Sequence, residues 1–529
     1  MAKIMKRTYF ILFVVMLVFL SAFFRLFYLT VGSGYKETAT TQSTMTINVD
    51  LPRGTIFDRN GEHLSNNKII KKAVLIATPK TITALYKYFE KDKADEISNE
   101  LKKGKPIAVE VPHDFKCNDA YVFICYDEDE IKNTAIHLLG YLNSDKEAVC
   151  GIEKAYNHIL HNPNSTSVVF QTDAVGGPLL GVEANIKDYS NVYQTGITTT
   201  IDRNIQEICD SEISGVNGAV AVIKSGTGEI IALSSSPSFS CDNISSALND
   251  ENSPFMNRAL SKYNLGSIFK VCVAAAALES GVNISKTYTC NGKVNCDGNI
   301  FMCHKKEGHG TLNMETALSV SCNSYFINLS RDVGAEAVYN MAKKMGFNNT
   351  LTIYKDYNVS GGIITNLEKL SNPSALANFS IGQGDLLATP LTMALAYGAI
   401  SSGGVYYPPI LVTAEKDIKG NTKYNPAEKG VRIMSGKTAD VLMKMMYKTV
   451  EEGTGKSGKP NNVSAAGKTA TAETGMINKN GQKINQTWFV GATNINNPEY
   501  VIAVLVEDGL SGSTSAAPIF KRIVDRIYK

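Results

Sequence analysis

The chain has 529 residues, 44% of them hydrophobic and 19% charged, with a formal net charge of +3. This length exceeds one ordinary core and predicts two or three domains, and the composition excludes a disordered chain. Near-neutral charge without a long Lys/Arg block gives no case for nucleic acid as a partner.

The first predicted element is a membrane anchor. Tyr9 to Val31 is apolar almost throughout, interrupted by Ser21, Arg25 and Thr30. About 20 apolar residues cross a bilayer core, and Arg25 lies far enough along the run to snorkel to the interface. Lys3, Lys6 and Arg7 precede the run. By the positive-inside rule, residues 1–8 form a cytoplasmic tail, 9–31 span the membrane once, and the rest lies outside. A cleaved signal peptide is the rival, but the run is longer than an h-region and no clean small-x-small site follows it.

Residues 32–213 read as an extracytoplasmic α+β module. Thr46–Val49, Ala73–Ile76, Ala108–Val111 and Ser167–Phe170 are strand-like, and Lys91–Lys103 is helical. Arg59-Asn60-Gly61 and Gly176-Gly177-Pro178 punctuate them as turns. A second domain, 214–529, opens with a hairpin: Ala219–Ile223, a turn at Ser225–Gly228, and a return at Ile230–Leu233. Val271–Leu278 is an Ala-rich helix apolar on all sides, Thr487–Ala492 and Tyr500–Val506 are strands, and Ile519–Tyr528 is an amphipathic helix. Strands at both ends with helices between them predict an antiparallel sheet flanked by helices, an α+β fold.

Chemistry concentrates in this second domain. Ser267-Ile-Phe-Lys270 stands at the head of the Ala-rich helix. Residues three apart share a helical face, so the Ser267 hydroxyl and the Lys270 amine can meet. A partly desolvated amine can lose its proton and act as the base that activates serine. The pattern is weak alone, since Ser33-Gly-Tyr-Lys36 imitates it beside the anchor. Order and context decide. Ser321-Cys-Asn323 and Gly467-Lys-Thr-Ala-Thr471 follow in turn, and S-x-x-K, S-x-N and K-T-G form the signature set of penicillin-recognising serine enzymes.

On these motifs the chain resembles the class B penicillin-binding proteins, the monofunctional transpeptidases of cell-wall synthesis. Leu51–Gly61, Gly151–Tyr156 and Thr199–Asp202 resemble the family's pedestal motifs. Asn257-Arg258, Gly382-Gln-Gly384 with Thr389-Pro390, and Gly453-Thr-Gly455 also fall in family order. The resemblance implies a penicillin-binding transpeptidase fold behind a pedestal of the dimerisation type. It implies that Ser267 attacks the penultimate D-Ala of a stem peptide ending in D-Ala-D-Ala, or a β-lactam. Lys270 would be the base and Ser321 the proton relay. Asn323 would hold the substrate amide, Lys468 and Thr469 the terminal carboxylate, and the backbone N–H groups of Ser267 and Thr471 the oxyanion. The third motif departs from the family pattern, with Ala470 where glycine is usual, and the added methyl is expected to narrow the space beside the strand.

Ten cysteines lie in the chain, and Cys290, Cys296, Cys303 and Cys322 crowd into one stretch with His304 and His309. Thiolate and imidazole donors suit tetrahedral zinc. The resemblance implies a structural zinc behind the second motif, as in some elongation-type class B enzymes. The expected ligands are Cys290, Cys303, His309 and Cys322, with Cys296 and His304 in reserve; free thiols or a Cys290–Cys303 disulfide are the alternatives. No organic cofactor is expected. The same acyl-enzyme could serve a D,D-carboxypeptidase, a β-lactam-hydrolysing enzyme or a β-lactam sensor, but no motif specifies a base for water. By resemblance the type is elongation or sporulation, and the partner is a SEDS-family glycosyltransferase contacting the pedestal.

Overall fold

The computed structural model describes residues 2–32, 43–65, 68–127, 134–143, 145–173, 176–179, 181–241, 244–477, 481 and 483–529. The imitation motif Ser33–Lys36 lies outside the described residues. Contacts divide the chain into two units. One comprises Met1–Arg53, Lys68–Asp127 and Asn162–Gln194, and the other Gly54–Asn67, Glu128–His161 and Thr195–Lys529. The division therefore does not follow the expected chain-order boundary between residues 213 and 214. Hydrogen bonding is the reason: Thr55–Phe57 pairs in parallel with Gly196–Thr199, which pairs in turn with Val412–Lys416.

In the first unit, helix α1 (Ala2–Phe27) carries the expected apolar run and is long and apolar enough to cross a membrane. Strands β1 (Thr44–Asp50), β2 (Lys68–Leu75), β3 (Ile107–Val111), β4 (Ala120–Asp127), β5 (Thr166–Gln171) and β6 (Asn185–Lys187) form two antiparallel sheets, ordered β1-β5-β6 and β3-β2-β4. Successive side chains of a strand point to opposite faces. In β2, accordingly, Ala73 and Leu75 pack with Leu85, Ile97 and Leu101 of the helices Pro79–Tyr88 and Lys91–Leu101. Ile70 and Val74 pack the other way, with Val49, Val168 and Phe170. Pro79–Tyr88 was not foreseen; Thr78 caps it by accepting from the Thr81 N–H, and Pro79 suits its first turn.

The second unit is built on a five-stranded antiparallel sheet. Its strands are β7 (Gly218–Lys224), β8 (Ile230–Ser236), β9 (Ala465–Ile477), β10 (Lys483–Thr493) and β11 (Tyr500–Glu507), in the order β8-β7-β11-β10-β9. Both faces are covered, which explains the unbroken apolar runs where a one-sided sheet would alternate. Val220, Val222, Val504 and Phe489 pack against the helices Arg203–Ile213 and Ala517–Ile527. Ala219, Ala221, Trp488 and Leu505 face the larger core, which contains the helices Lys270–Glu279 and Pro390–Ser401. Those two helices are buried along almost their whole lengths, as their uniformly apolar sequences require.

Phe520 is fully buried, with its ring 4.4 Å from that of Phe489. Phe520→Ala is expected to destabilise this unit by about 3–5 kcal/mol. The single tryptophan, Trp488, lies in the same sheet, so the urea midpoint of its fluorescence change reports the loss.

Candidate active site

The nucleophile candidate sits on a tight turn that follows the short strand Tyr263–Asn264. Gly266–Phe269 forms a 3-10 turn that runs directly into the helix beginning at Lys270, so Ser267 precedes the α-helix where the sequence placed it at the helix head. Gly266 has φ +59°, and an added Cβ would meet the Thr471 carbonyl oxygen at 3.1 Å. Gly382 approaches from the other side: its Cβ would lie 2.0 Å from the Gly266 oxygen. Only glycine permits backbones this close. The turn is tied further by Gly266 N–H to Gly382 O (2.8 Å), Trp488 Nε1–H to Asn264 O (2.8 Å) and Tyr397 O–H to Ile268 O (2.9 Å).

Lys270 points beneath this turn and is fully buried. Its Nζ donates to Ser321 O (2.7 Å), Asn323 Oδ1 (2.7 Å) and Ser321 Oγ (3.3 Å). The polar contacts of the amine thus run to the second motif, not to the Ser267 hydroxyl expected from helical spacing. Burial pushes the Lys270 amine down to about 8, against the opposing pull of negative charge at Cys322 and Cys303. Ser321 holds a left-handed φ of +57°, a conformation that costs a non-glycine residue about 1–2 kcal/mol. It lies between the helices Met314–Ser319 and Asn323–Val333. Its neighbour Cys322 is fully buried, whereas Asn323 reaches the groove and donates from Nδ2 to Met302 O (3.1 Å).

The third motif lies within β9. Strand alternation puts Thr469 and Thr471 on one face and Lys468 and Ala470 on the other. Lys468 is fully buried and donates to Thr469 O (2.9 Å) and Thr454 Oγ1 (3.4 Å); Thr469 Oγ1 donates to Thr454 Oγ1 (2.9 Å). Burial, reinforced by the charge of Lys270, drives the Lys468 amine well below its usual range. Ala470 is 3% exposed and part of the large core, so its methyl is packed mainly inward.

Together these elements line a groove of about 800 Å³, bounded by Ser267, Ser321, Asn323, Thr469, Ala470 and Thr471. Among the further polar residues that line it without a role assigned from sequence are Thr454, Gln383 and Glu473. The first two stand between glycines, in Gly453-Thr-Gly455 and Gly382-Gln-Gly384, which was the available signal. Glu473 could have been found only by carrying the strand alternation two residues past Thr471.

Behind the second motif lies a cluster of donors. The ligand atoms of Cys290, Cys303, His309 and Cys322 all fall within 4.8 Å of one another. His309 Nδ1 is 3.6 Å from Cys290 Sγ and 3.5 Å from Cys303 Sγ, and the Cys303 and Cys322 sulfurs are 3.9 Å apart. Donors bonded tetrahedrally to zinc at ordinary lengths are about 3.3–3.8 Å apart, so this set could hold such an ion. Burial holds the His309 imidazole below its usual range, which favours the neutral, metal-binding form. Of the reserve ligands, Cys296 packs elsewhere, with Ile327 and Ala377, whereas His304 borders the cluster with its ring 4.8 Å from that of His309.

A family profile described as "Penicillin binding protein transpeptidase domain" matches residues 218–525. The chain belongs to the penicillin-binding protein transpeptidase family. Stage V sporulation protein D of Bacillus subtilis is 28% identical to this penicillin-binding protein over 98% of the chain and 85% of that protein. The peptidoglycan D,D-transpeptidase MrdA of Acinetobacter baumannii is 29% identical, over 71% of this chain and 59% of its own length. Penicillin-binding protein 3 of Mycobacterium tuberculosis, solved with aztreonam, shares the fold with a TM-score of 0.65 at 21% identity, covering 91% of this chain and 96% of that one. The chain is a penicillin-binding transpeptidase of this family, which is a serine-type enzyme class.

With Lys270 pushed down to about 8, the rate of penicillin acylation is expected to rise with pH as the amine loses its proton, levelling off above about 8. Lys270→Arg, which stays protonated, should abolish the rise; a stopped-flow pH–rate profile checks both.

Proposed function

We propose that this penicillin-binding protein is a peptidoglycan D,D-transpeptidase, forming its acyl-enzyme on Ser267. The observation that carries this is the convergence of three distant motifs on one groove, with the buried Lys270 amine bonded to Ser321 and Asn323 beneath it. In the proposed reaction, Ser267 Oγ attacks the carbonyl carbon of the penultimate D-Ala while its proton passes to neutral Lys270. The backbone N–H groups of Ser267 and Thr471 hold the developing oxyanion. The amide C–N bond breaks, and the nitrogen of the departing D-Ala takes a proton relayed through Ser321. An acceptor amine then attacks the ester, forming the cross-link and freeing Ser267. Lys468 and Thr469, with Thr454 bonded to both, hold the terminal carboxylate, and Asn323 holds the substrate amide. A β-lactam enters the same first step and stays on the serine.

The anchor-length helix α1 and the basic residues Lys3, Lys6 and Arg7 before its apolar run support a single-pass topology with the chain after α1 outside the cytoplasmic membrane. A SEDS-family glycosyltransferase contacting the first unit is the proposed supplier of glycan strands.

We also infer a structural zinc on Cys290, Cys303, His309 and Cys322. The donor set and its spacing support it. A closed four-donor site supplies cross-linking and no open coordination position. Bound there, it would tie the loop carrying Cys290 and Cys303 to Cys322, between the two site residues Ser321 and Asn323.

Ser267→Ala is expected to abolish labelling by fluorescent penicillin; labelling that persists in the folded variant would overturn the assignment. Purified protein should contain one zinc per chain by elemental analysis. Cys322→Ser should lose the metal and lower the unfolding temperature, and intact stability without zinc would refute the site.

A further inference from the structure

A cavity of about 500 Å³ adjoins the groove and shares Gly384 with it. Its floor is one face of a small three-stranded sheet within the second unit. Leu386–Ala388 lies at the centre, between Tyr263–Asn264 and Gly362–Ile364, and Leu387 stands opposite both Asn264 and Ile363. Residues directly opposite one another share a face, so these three form a row along the floor. Ile363 is 40% exposed there. Thr365, Lys369 and Asp385 complete the rim. The lining carries one ammonium and one carboxylate, and they pair with each other: Lys369 Nζ lies 3.3 Å from Asp385 Oδ2. The cavity is therefore neutral as a whole.

Asn264 fixes the place of this cavity relative to the chemistry. Among the described residues it bonds only through its backbone, donating to Gln486 Oε1 (2.6 Å) and accepting from Trp488 Nε1–H (2.8 Å), which leaves its side-chain amide to the cavity. Gln486 is the cross-strand partner of Ala472, one residue past Thr471 on the side away from Thr469. The cavity thus lies across the nucleophile turn from the carboxylate end proposed for the groove. Asn264 precedes Ser267 by three residues, a span of at most about 11 Å. Leu387 and Ile363 follow at about 5 Å per strand, so the floor lies within about 20 Å of the nucleophile. About four to six extended residues cover that distance. A neutral cavity with an apolar floor and a rim of amide, hydroxyl and paired-ion groups suits a neutral polyhydroxylated ring. The carbon face of such a ring packs on Leu387 and Ile363, and its hydroxyl and acetamido groups bond to the rim. A small ion would meet only charges that are already paired.

We propose that this cavity is a saccharide subsite, taking an N-acetylated amino sugar of the glycan strand from which the donor peptide hangs. The enzyme then holds its donor by the sugar as well as by the peptide. This rests on the acyl-transfer role proposed for the groove.

The test uses the full chain in detergent and measures protection of Ser267 from fluorescent penicillin. The two protectants are a pentapeptide ending in D-Ala-D-Ala and the same pentapeptide carried on its N-acetylglucosamine–N-acetylmuramic acid disaccharide. Half-protection of wild type is expected at a roughly three- to tenfold lower concentration of the disaccharide form, the worth of one or two hydrogen bonds. The unlinked disaccharide mixed with the pentapeptide should protect no better than the pentapeptide alone, because linkage supplies the effective concentration. Ile363→Trp, which fills the floor, and Lys369→Ala combined with Asp385→Ala should each bring the ratio close to one. Protection by the bare pentapeptide and the rate of penicillin labelling should stay unchanged in both. Equal concentrations in wild type, protection by neither form, or a ratio that both variants preserve would overturn the proposal while leaving acylation at Ser267 intact. Failure of penicillin to label Ser267 in wild type would overturn the acyl-transfer reading, and this inference with it.

Discussion

Two lysine amines, Lys270 and Lys468, are withdrawn completely from water on either side of one groove, and the architecture around them exists to make that tolerable. An ammonium ion buried without partners costs several kcal/mol, so the group must find acceptors, lose its proton, or both. Lys270 finds a carbonyl and an amide oxygen at 2.7 Å each, and Lys468 finds the Thr469 carbonyl at 2.9 Å. Each is still pushed towards the neutral form, Lys468 partly by the charge of Lys270. A neutral amine beside a serine is what acyl transfer needs. The cost of desolvation is thereby turned into the reactivity of the site.

Supplying those acceptors forces the backbone into unusual positions. Ser321 occupies the left-handed region, which lets its carbonyl and hydroxyl both reach Lys270 while Cys322 is buried behind it. Such a conformation persists only where the surroundings over-determine it. Here the capping box of Asn313 and Thr316 starts the preceding helix, the Cys322 N–H bonds to Ala317 O, and the thiol of Cys322 joins the cluster with Cys290, Cys303 and His309. On the opposite side, Gly266 and Gly382 let backbone touch backbone, so the nucleophile turn is held by main-chain contacts that side-chain motion does not disturb.

Several features were legible without coordinates for local reasons. The apolar helix α1, the hairpin at Ala219–Leu233 and the terminal helix depend on short-range patterning, which survives in any one-dimensional reading. The grouping of Cys290, Cys303, His309 and Cys322 is also readable locally, because unusual residues crowd into a short stretch. Other features were not legible. The Pro79–Tyr88 helix is short, and its apolar residues Ile82, Ala84, Leu85 and Tyr88 alternate with Thr and Lys too briefly to mark a helix. The hydrogen bonds of Lys270 to Ser321 and Asn323 join residues more than fifty positions apart, which no local window contains. Ala470 illustrates the same limit: its identity was readable, but strand alternation and the core behind it decided that its methyl packs mainly inward.

The sequence by itself determined which chemical groups are present, their order, and the two-layered patterning that makes the second unit a sheet covered on both faces. Only the tertiary structure decided that Thr55–Phe57 and Arg203–Ile213 belong with residues hundreds of positions away, and that Thr454, Gln383 and Glu473 share a groove with Ser267. Local propensity acts over a few residues, whereas strand pairing and burial join segments by the free energy of contacts that no local window contains. The acidity of a lysine belongs to that second class, because it is set by how much water the whole fold removes.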